Sequence, residues 1–369
     1  MKSFISCCLV LSAAIFIFIQ IANAQEGKPL DQKEFVQKLY QIPKNPAMKE
    51  ALLEEIRQRG IDFPLTDGLR SLVATKSGND TLLRRALEEA DRRRANPKEF
   101  VKPGEAEAEE ILAKAREENL KAADSMPDFI VKQLISRSIA LGGTSNWRSL
   151  DHLVLAVSYS SEKGEDYKLL AVNGVQPADD PKGPTNFQGV GGTTSTGEYV
   201  SVLKDIFRPE SKTTFKPVDT DVLRGRKTVV YEFDVKRENS RQNIVSRAII
   251  VNETIAGFTG RIWVDRENYR VLRVETTATE IPTGFPVRAA SRTIDYDWVT
   301  ISDQKYLLPL TADVQLTARY YGETQQTRNY IRFKGYQKFG TEVKVIDEDV
   351  VDDTQPPPQP VKKDPPFRQ

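Results

Sequence analysis

The stretch Phe258-Thr-Gly-Arg-Ile-Trp-Val-Asp265-Arg-Glu-Asn268-Tyr-Arg-Val-Leu-Arg-Val-Glu-Thr-Thr-Ala278 decides the fold. Successive side chains of an extended chain point to opposite faces, so Ile262 and Val264 share one side. Asp265 to Asn268 supplies a polar turn, after which Leu272, Val274 and Thr276 alternate with Arg273 and Glu275. The pattern is a β-hairpin belonging to a sheet with one packed face.

The same period extends in both directions. Upstream, Phe129, Val131 and Leu134, then Leu153, Leu155 and Val157, then Tyr167, Leu169 and Ala171 read as strands. Glu162 to Glu165 and Asn173-Gly174 supply the turns between them. Val229, Tyr231, Phe233 and Val235 alternate with Val230, Glu232, Asp234 and Lys236. Downstream come Ile294, Tyr296 and Trp298, then Val314, Leu316 and Ala318, then Ile331 and Phe333. The spacings are too short for helical crossovers, so the meander is antiparallel. A loop-rich segment, 177–197, interrupts it, and Tyr199 to Phe207 reads as one helix.

Before residue 126 the period is helical. Phe35 and Leu39, Leu52, Leu53 and Ile56, Leu69, Leu72 and Val73, and Leu82, Leu83 and Leu87 form successive i, i+3, i+4 stripes. Asn79-Asp80 reads as a helix N-cap, and Gly60, Pro64 and Gly68 punctuate between helices. Glu105 to Ala123 carries only Ile111, Leu112 and Leu120 as large apolar residues and reads as a solvated connector helix. Residues 1–24 read as a signal peptide: Lys2, an apolar run from Phe4 to Ile21, then Ala22-Asn23-Ala24. The organisation is therefore a signal peptide at 1–24, a helical module with its connector at 25–125, a β domain at 126–346, and an acidic, proline-rich tail at 347–369 expected to be disordered.

Composition narrows the function. Cys7 and Cys8 both lie in the signal, so the remaining 345 of 369 residues hold no thiol for a disulfide framework or a metal. The 53 Lys and Arg are matched by 52 Asp and Glu, which supplies no basic field to attract nucleic acid. His152 is the only histidine, so neither a histidine metal centre nor a Ser-His or Cys-His nucleophile system can be assembled within one chain. The glycines between Gly189 and Gly197 lack the Lys-Ser/Thr ending of a phosphate-cradling loop. Asp347, Glu348, Asp349, Asp352 and Asp353 lack the glycine turn and ligand spacing of a calcium loop. Arg92-Arg93-Arg94 ends a helix, where cations complement exposed carbonyls. Pro357 and Pro360 with Lys362 match a proline-helix ligand but read better as a spacer. No catalytic residue, cofactor or metal is expected.

Several blocks carry a resemblance. They are Leu223-Arg224-Gly225-Arg226 leading into Val229, Gly260-x-Ile262-Trp263-Val264-Asp265 with Val271-Leu272-Arg273-Val274-Glu275, Ile281-Pro282-x-x-Phe285-Pro286, Asp295-Tyr296-x-x-Val299, and Leu307-Leu308-Pro309. Together they resemble a family of exported proteins found mainly in acidobacteria, whose β domain looks like the half-barrel of outer-membrane lipoprotein-sorting carriers. Arg59-Gly60-Ile61-Asp62-Phe63 with Leu65-Thr66 looks like a short helical module that recurs in such exported proteins. The resemblance implies an α+β fold, with an N-terminal helical module followed by a curved antiparallel sheet under a covering helix. Carriers of that kind hold acyl chains between the sheet and its cover.

Apolar residues fall on both faces of several strands, and such a sheet needs two covers, or one cover and a ligand. Val229, Tyr231, Phe233, Ile262, Val264, Leu272 and Val274 are the candidate liners of an apolar cavity, although alternation does not say which face is concave. The leading expectation is a noncatalytic carrier or chaperone, periplasmic or extracellular after cleavage near Ala24, for lipid or acylated protein. The alternative is an envelope scaffold that binds a protein partner through the helical module. Contact with a membrane is neither required nor excluded by the sequence.

Overall fold

The computed structural model describes residues 27–142, 144, 146–176, 193–194, 197–199, 201–246, 252–320 and 322–339. The segment 1–24 expected as a signal peptide, most of the 177–197 loop and the tail from 347 lie outside them.

Four helices come first: α1 (Gln32–Leu39), α2 (Ala47–Arg59), α3 (Asp67–Ser77) and α4 (Thr81–Ala95). Side-chain caps fix their starts. Asp31 accepts from the Glu34 N–H at 2.8 Å, Thr66 from Leu69 at 3.3 Å and Asp80 from Leu83 at 2.9 Å. Gly60 ends α2 with φ 68°, and its carbonyl accepts from the Leu30 N–H at 3.1 Å, tying the entry segment to the α2–α3 turn. Gly68 lies inside the first turn of α3 and not between helices, because the Thr66 cap starts the helix one residue before it. Leu30, Phe35, Leu52, Ile56, Phe63, Val73, Leu83 and Leu87 close a core that belongs to these helices alone.

After α5 (Glu105–Asp124) the chain enters the sheet: β1 (Phe129–Leu141), β2 (Arg148–Ser160) and β3 (Gly164–Val172). Helix α6 (Ser201–Phe207) precedes β4 (Thr214–Leu223), β5 (Arg226–Val235), β6 (Gln242–Ser246) and β7 (Asn252–Asp265). Strands β8 (Val271–Thr279), β9 (Val287–Ile301), β10 (Gln304–Tyr320) and β11 (Glu323–Lys338) complete it. The order is β3-β2-β1-β11-β10-β9-β8-β7-β5-β4, with β6 on β7 and every pairing antiparallel, so the sheet is open, with β3 and β4 at its ends. The fold is thus α+β: a helical module, then an unclosed, curved antiparallel half-barrel with a helix over it.

The opening hairpin of the sequence reading is β7–β8. Trp263 pairs with Arg273 and Val264 with Val271, so Leu272 is a bulge residue and both Val271 and Leu272 are buried. Gly260 is required by close approach: a Cβ there would lie 1.8 Å from the Glu275 carbonyl oxygen of the neighbouring strand. Sequence reasoning passed over β4 and β6. Pro217 disguised β4, but proline is tolerated on an edge strand, where half of the N–H groups have no ladder partner.

The face of the sheet carrying Arg273 and Glu275 is buried, not solvated. Helices α2 and α4 lie over it through ion pairs. Arg57 reaches Glu275 at 2.7 Å, Arg85 reaches Asp295 at 3.2 Å, Arg92 reaches Asp221 at 2.8 Å, and Arg93 pairs with Asp219. From the sheet, Arg273 reaches Glu89 at 3.4 Å, and from α4 the Thr81 hydroxyl donates to Asp313 of β10 at 2.6 Å. The Arg92–Arg94 run is therefore more than helix-end charge complementarity, because two of its three guanidiniums clamp the β4 carboxylates. Burial pushes the Asp295 carboxyl up, but Arg273 and Arg85 pull it further down, below the ordinary aspartate value.

Removing one member of a buried ion pair strands the other without solvent. Asp295→Ala should lower unfolding free energy by about 3 to 5 kcal/mol in urea denaturation. Gly260→Ala, with no charge involved, should cost about 3 kcal/mol by overpacking against a backbone that cannot yield, and should lower the denaturation midpoint in the same measurement.

Candidate functional site: the covered apolar face

The opposite face of the sheet is apolar, and all seven candidate liners lie on it or at its bulge. Val229, Tyr231, Phe233, Ile262, Val264, Leu272 and Val274 are each no more than 2% exposed and share one core with residues of α5 and α6. Helix α5 presents Ala108, Ile111, Ala115, Asn119 and Ala123 on one buried stripe, and α6 presents Val202, Leu203, Ile206 and Phe207. The connector of the sequence reading is thus a cover. Its alanines were legible as helix formers but carry no large apolar signal, so their role as a packing stripe was missed.

Small side chains bring α5 close to the strands, and polar contacts fix its position. The Tyr231 hydroxyl donates to the Ala108 carbonyl at 2.7 Å. The Asn119 amide donates to the Tyr269 carbonyl at 3.0 Å, and its oxygen accepts from the Val271 N–H at 3.1 Å, so one side chain bridges α5 to the end of the β7–β8 hairpin. Arg266 in that hairpin pairs with Glu107. Burial pushes the Tyr231 phenol well above its ordinary value, keeping the donor protonated.

Aromatic rings line the same face in two groups. Phe207 stacks on Phe215 at 5.8 Å, and Phe233 meets Phe258 edge-on at 5.8 Å. Toward the other end Phe129 packs against Tyr159, Tyr199 and Tyr336 at 5.2 to 5.4 Å. The face then turns polar. Along β1, Gln133 and Arg137 continue the inward series of Phe129, Val131 and Ile135; the Gln133 amide donates to the Tyr199 hydroxyl at 3.1 Å, and Arg137 forms a bidentate pair with Asp151 at 2.6 Å. Asn329 donates to the Thr193 carbonyl at 2.7 Å, and Tyr296 to the Glu198 carbonyl at 3.2 Å. Hydrophobic alternation did not reveal this end, because Gln133 and Arg137 interrupt it. His152 lies on β2, where its N–H donates to the Asn173 side chain at 2.9 Å.

Two spaces stand out among the described residues. One, about 10 Å³, lies inside the helical module by Leu65, Val73 and Leu87. The other is an open cleft of about 550 Å³ where α5, α6 and the start of β6 meet, lined by Leu120, Asp124, Lys204, Asp205, Arg208 and Arg241. It is charged, and its ion pairs, Lys204–Asp124 at 2.8 Å and Arg208–Asp205 at 3.1 Å, are internal. Neither space is an apolar void beneath the cover. Among the described residues no group of three His, Cys, Asp or Glu side chains is placed to hold a metal.

Among solved structures the chain is similar, at low identity and low TM-score, to the following. One is a LolA superfamily protein from Nitrosomonas europaea, 12% identical over 67% of this chain and 98% of that one, with a TM-score of 0.28. Another is an outer membrane lipoprotein-sorting protein domain from Vibrio parahaemolyticus, 16% identical over 66% of this chain and 97% of that one, with a TM-score of 0.26. A third is a DUF1329 family protein from Desulfovibrio piger, 11% identical over 63% of this chain and 95% of that one, with a TM-score of 0.27. No protein-family model and no curated protein matches the chain.

Tyr231→Phe removes one hydrogen bond and keeps the ring. It should lower stability by about 1 kcal/mol and raise amide exchange in α5 above that in β5, read by mass spectrometry.

Proposed function

We propose that this chain is a noncatalytic carrier or chaperone of the cell envelope, periplasmic or extracellular after cleavage near Ala24. It accommodates lipid acyl chains, or the lipidated end of a protein, on the apolar face of its sheet. One observation carries the reading: the face lined by Val229, Tyr231, Phe233, Ile262, Val264, Leu272 and Val274 is closed by α5 through a stripe made mainly of alanine. A helix that covers large aliphatic and aromatic residues with three alanines, one isoleucine and the flanking Leu112 and Leu120 gives up less apolar surface of its own when it lifts than the face it uncovers. The residues it uncovers are those an acyl chain would bury. The closed arrangement is then the unloaded state, with the face occupied by the protein's own side chains, and loading requires α5 to move.

The polar end of the same face, with Gln133, Arg137 and Asn329, suits a cargo with one apolar and one polar part. The alternative, a scaffold for an envelope protein, draws on the fact that the apolar face is already filled and needs no ligand to be stable.

The protein purified from its native host, denatured and analysed by mass spectrometry, should release lipid or acylated peptide in stoichiometric amount. A fluorescent fatty acid should bind the unloaded chain, and Asn119→Ala, which frees α5 from the hairpin, should speed its entry several-fold. No lipid, no uptake of the fatty acid, and a specific co-purifying protein would together establish the scaffold instead.

A further inference from the structure

We propose that the charged face of the sheet is a reversible interaction surface, occupied by the chain's own helical module and vacated as Glu89 loses its proton. The module has what a detachable unit needs. Its core, from Leu30 to Ala90, shares no buried apolar residue with the core of the sheet. Its tether is the segment 96–104, which carries Pro97, Pro103 and the 64%-exposed Val101. Guanidinium–carboxylate pairs and the Thr81 hydrogen bond make the junction. Charges buried in such a junction give up water to form it, and recover that hydration when it opens, so opening costs far less than exposing an equal area of apolar core.

Glu89 is the weak point. It projects from α4 onto the sheet and is 5% exposed. Arg273 of β8 approaches it at 3.4 Å, a long contact, while the same guanidinium holds Asp295 of β9 at 2.7 Å. Glu275 of β8 and Asp221 of β4 add negative charge around it, each already paired, with Arg57 of α2 and Arg92 of α4 respectively. Arg93 of α4 favours ionisation but is itself paired with Asp219. Arg85 and Arg224 also serve Asp295, so Glu89 is left with one shared guanidinium at the longest range of the junction between module and sheet.

Burial, then Asp221 and Glu275, push the Glu89 carboxyl up from 4.5 to about 7, with Arg273 and Arg93 opposing. An undocked, hydrated Glu89 titrates near the ordinary value. The docked state therefore binds the proton more tightly, and its advantage is fully present below the undocked value and lost as pH rises through about 7. Asp295 and Asp313 are shifted the other way, below the ordinary aspartate value, so they stay ionised across the neutral range and do not cancel the effect. Linkage between the two Glu89 values raises the undocked-to-docked ratio roughly tenfold from pH 6 to pH 8.5.

Trp263 reports on this face. It is fully buried, pairs across strands with Arg273, and has that guanidinium 5.4 Å from its ring. Its labelling by 2-hydroxy-5-nitrobenzyl bromide in the full chain, located by peptide mass spectrometry and normalised to free tryptophan at each pH, follows the open population. The rate should rise roughly tenfold from pH 6 to pH 8.5 in the wild type, and less than twofold in Glu89→Gln, while amides of the β5–β7 ladder stay protected from exchange. A flat wild-type rate overturns the proposal, even if Glu89→Gln fails to fold. So does an unchanged pH dependence in a folded Glu89→Gln, or a rise accompanied by loss of β5–β7 protection, which would be unfolding of the whole chain.

Discussion

Asp295 is the point through which the two halves of the molecule are joined. Its carboxylate, on the central strand β9, takes Arg273 from the neighbouring strand, Arg85 from α4 and, at 3.5 Å, Arg224 from the β4–β5 turn. Three cations around one buried anion explain why it remains ionised against its own burial. They also explain why the helical module lies where it does. An apolar helix face could slide over an apolar sheet, whereas guanidiniums at Arg57, Arg85, Arg92 and Arg93 must meet carboxylates at fixed places on three strands. The register between module and sheet is therefore set by charge placement, at a desolvation cost that contributes specificity more than stability.

With one face committed to charge, the other takes the hydrophobic burden. Val229, Tyr231, Phe233, Ile262, Val264 and Val274 need a cover that can come near a curved surface without large side chains of its own. Ala108, Ala115 and Ala123 meet that need, spaced so that all lie on one side of α5. Tyr231 then reaches past the alanines to the backbone of the cover, and Asn119 binds the hairpin turn. Strand curvature is part of the same solution. Gly260 lets β8 pass closer than any side chain allows, and the bulge at Leu272 turns two adjacent residues into the core.

The strands of the sheet were legible because alternation is a direct record of a pleated chain, and the hairpin at 258–278 needed nothing else. What alternation records is polarity, not accessibility. Arg273 and Glu275 read as the solvated side of a strand, yet Glu275 is buried and Arg273 largely so, since a second layer of complementary charge covers them. The same limit hid α5, whose alanines look neutral on a helical wheel but become a contact surface once a sheet lies beneath, and hid β4, whose Pro217 is tolerable only at an edge that sequence does not reveal. His152 and the glycines near residue 190 offered apparent motifs, whereas the inward Gln133 and Arg137, which give the apolar face its polar end, had no pattern to announce them.

The two covers of this sheet differ in kind, and the difference bears on how such a molecule can work. A cover held mainly by alanine methyl groups, Ile111 and a few end hydrogen bonds would, on the carrier proposal, open when something greasier replaces it, because the exchange increases the apolar area buried. Ion pairs respond instead to proton and salt, because their balance rests on hydration of charges. Under the two proposals, one sheet carries two faces that answer to different signals. Because β7, β8 and β9 belong to both, a shift in their curvature on loading would alter the spacing of Arg273, Glu275 and Asp295 on the far side. Coupling between the faces then needs no dedicated pathway: the strands themselves are the connection, one residue facing α5 and the next facing the module.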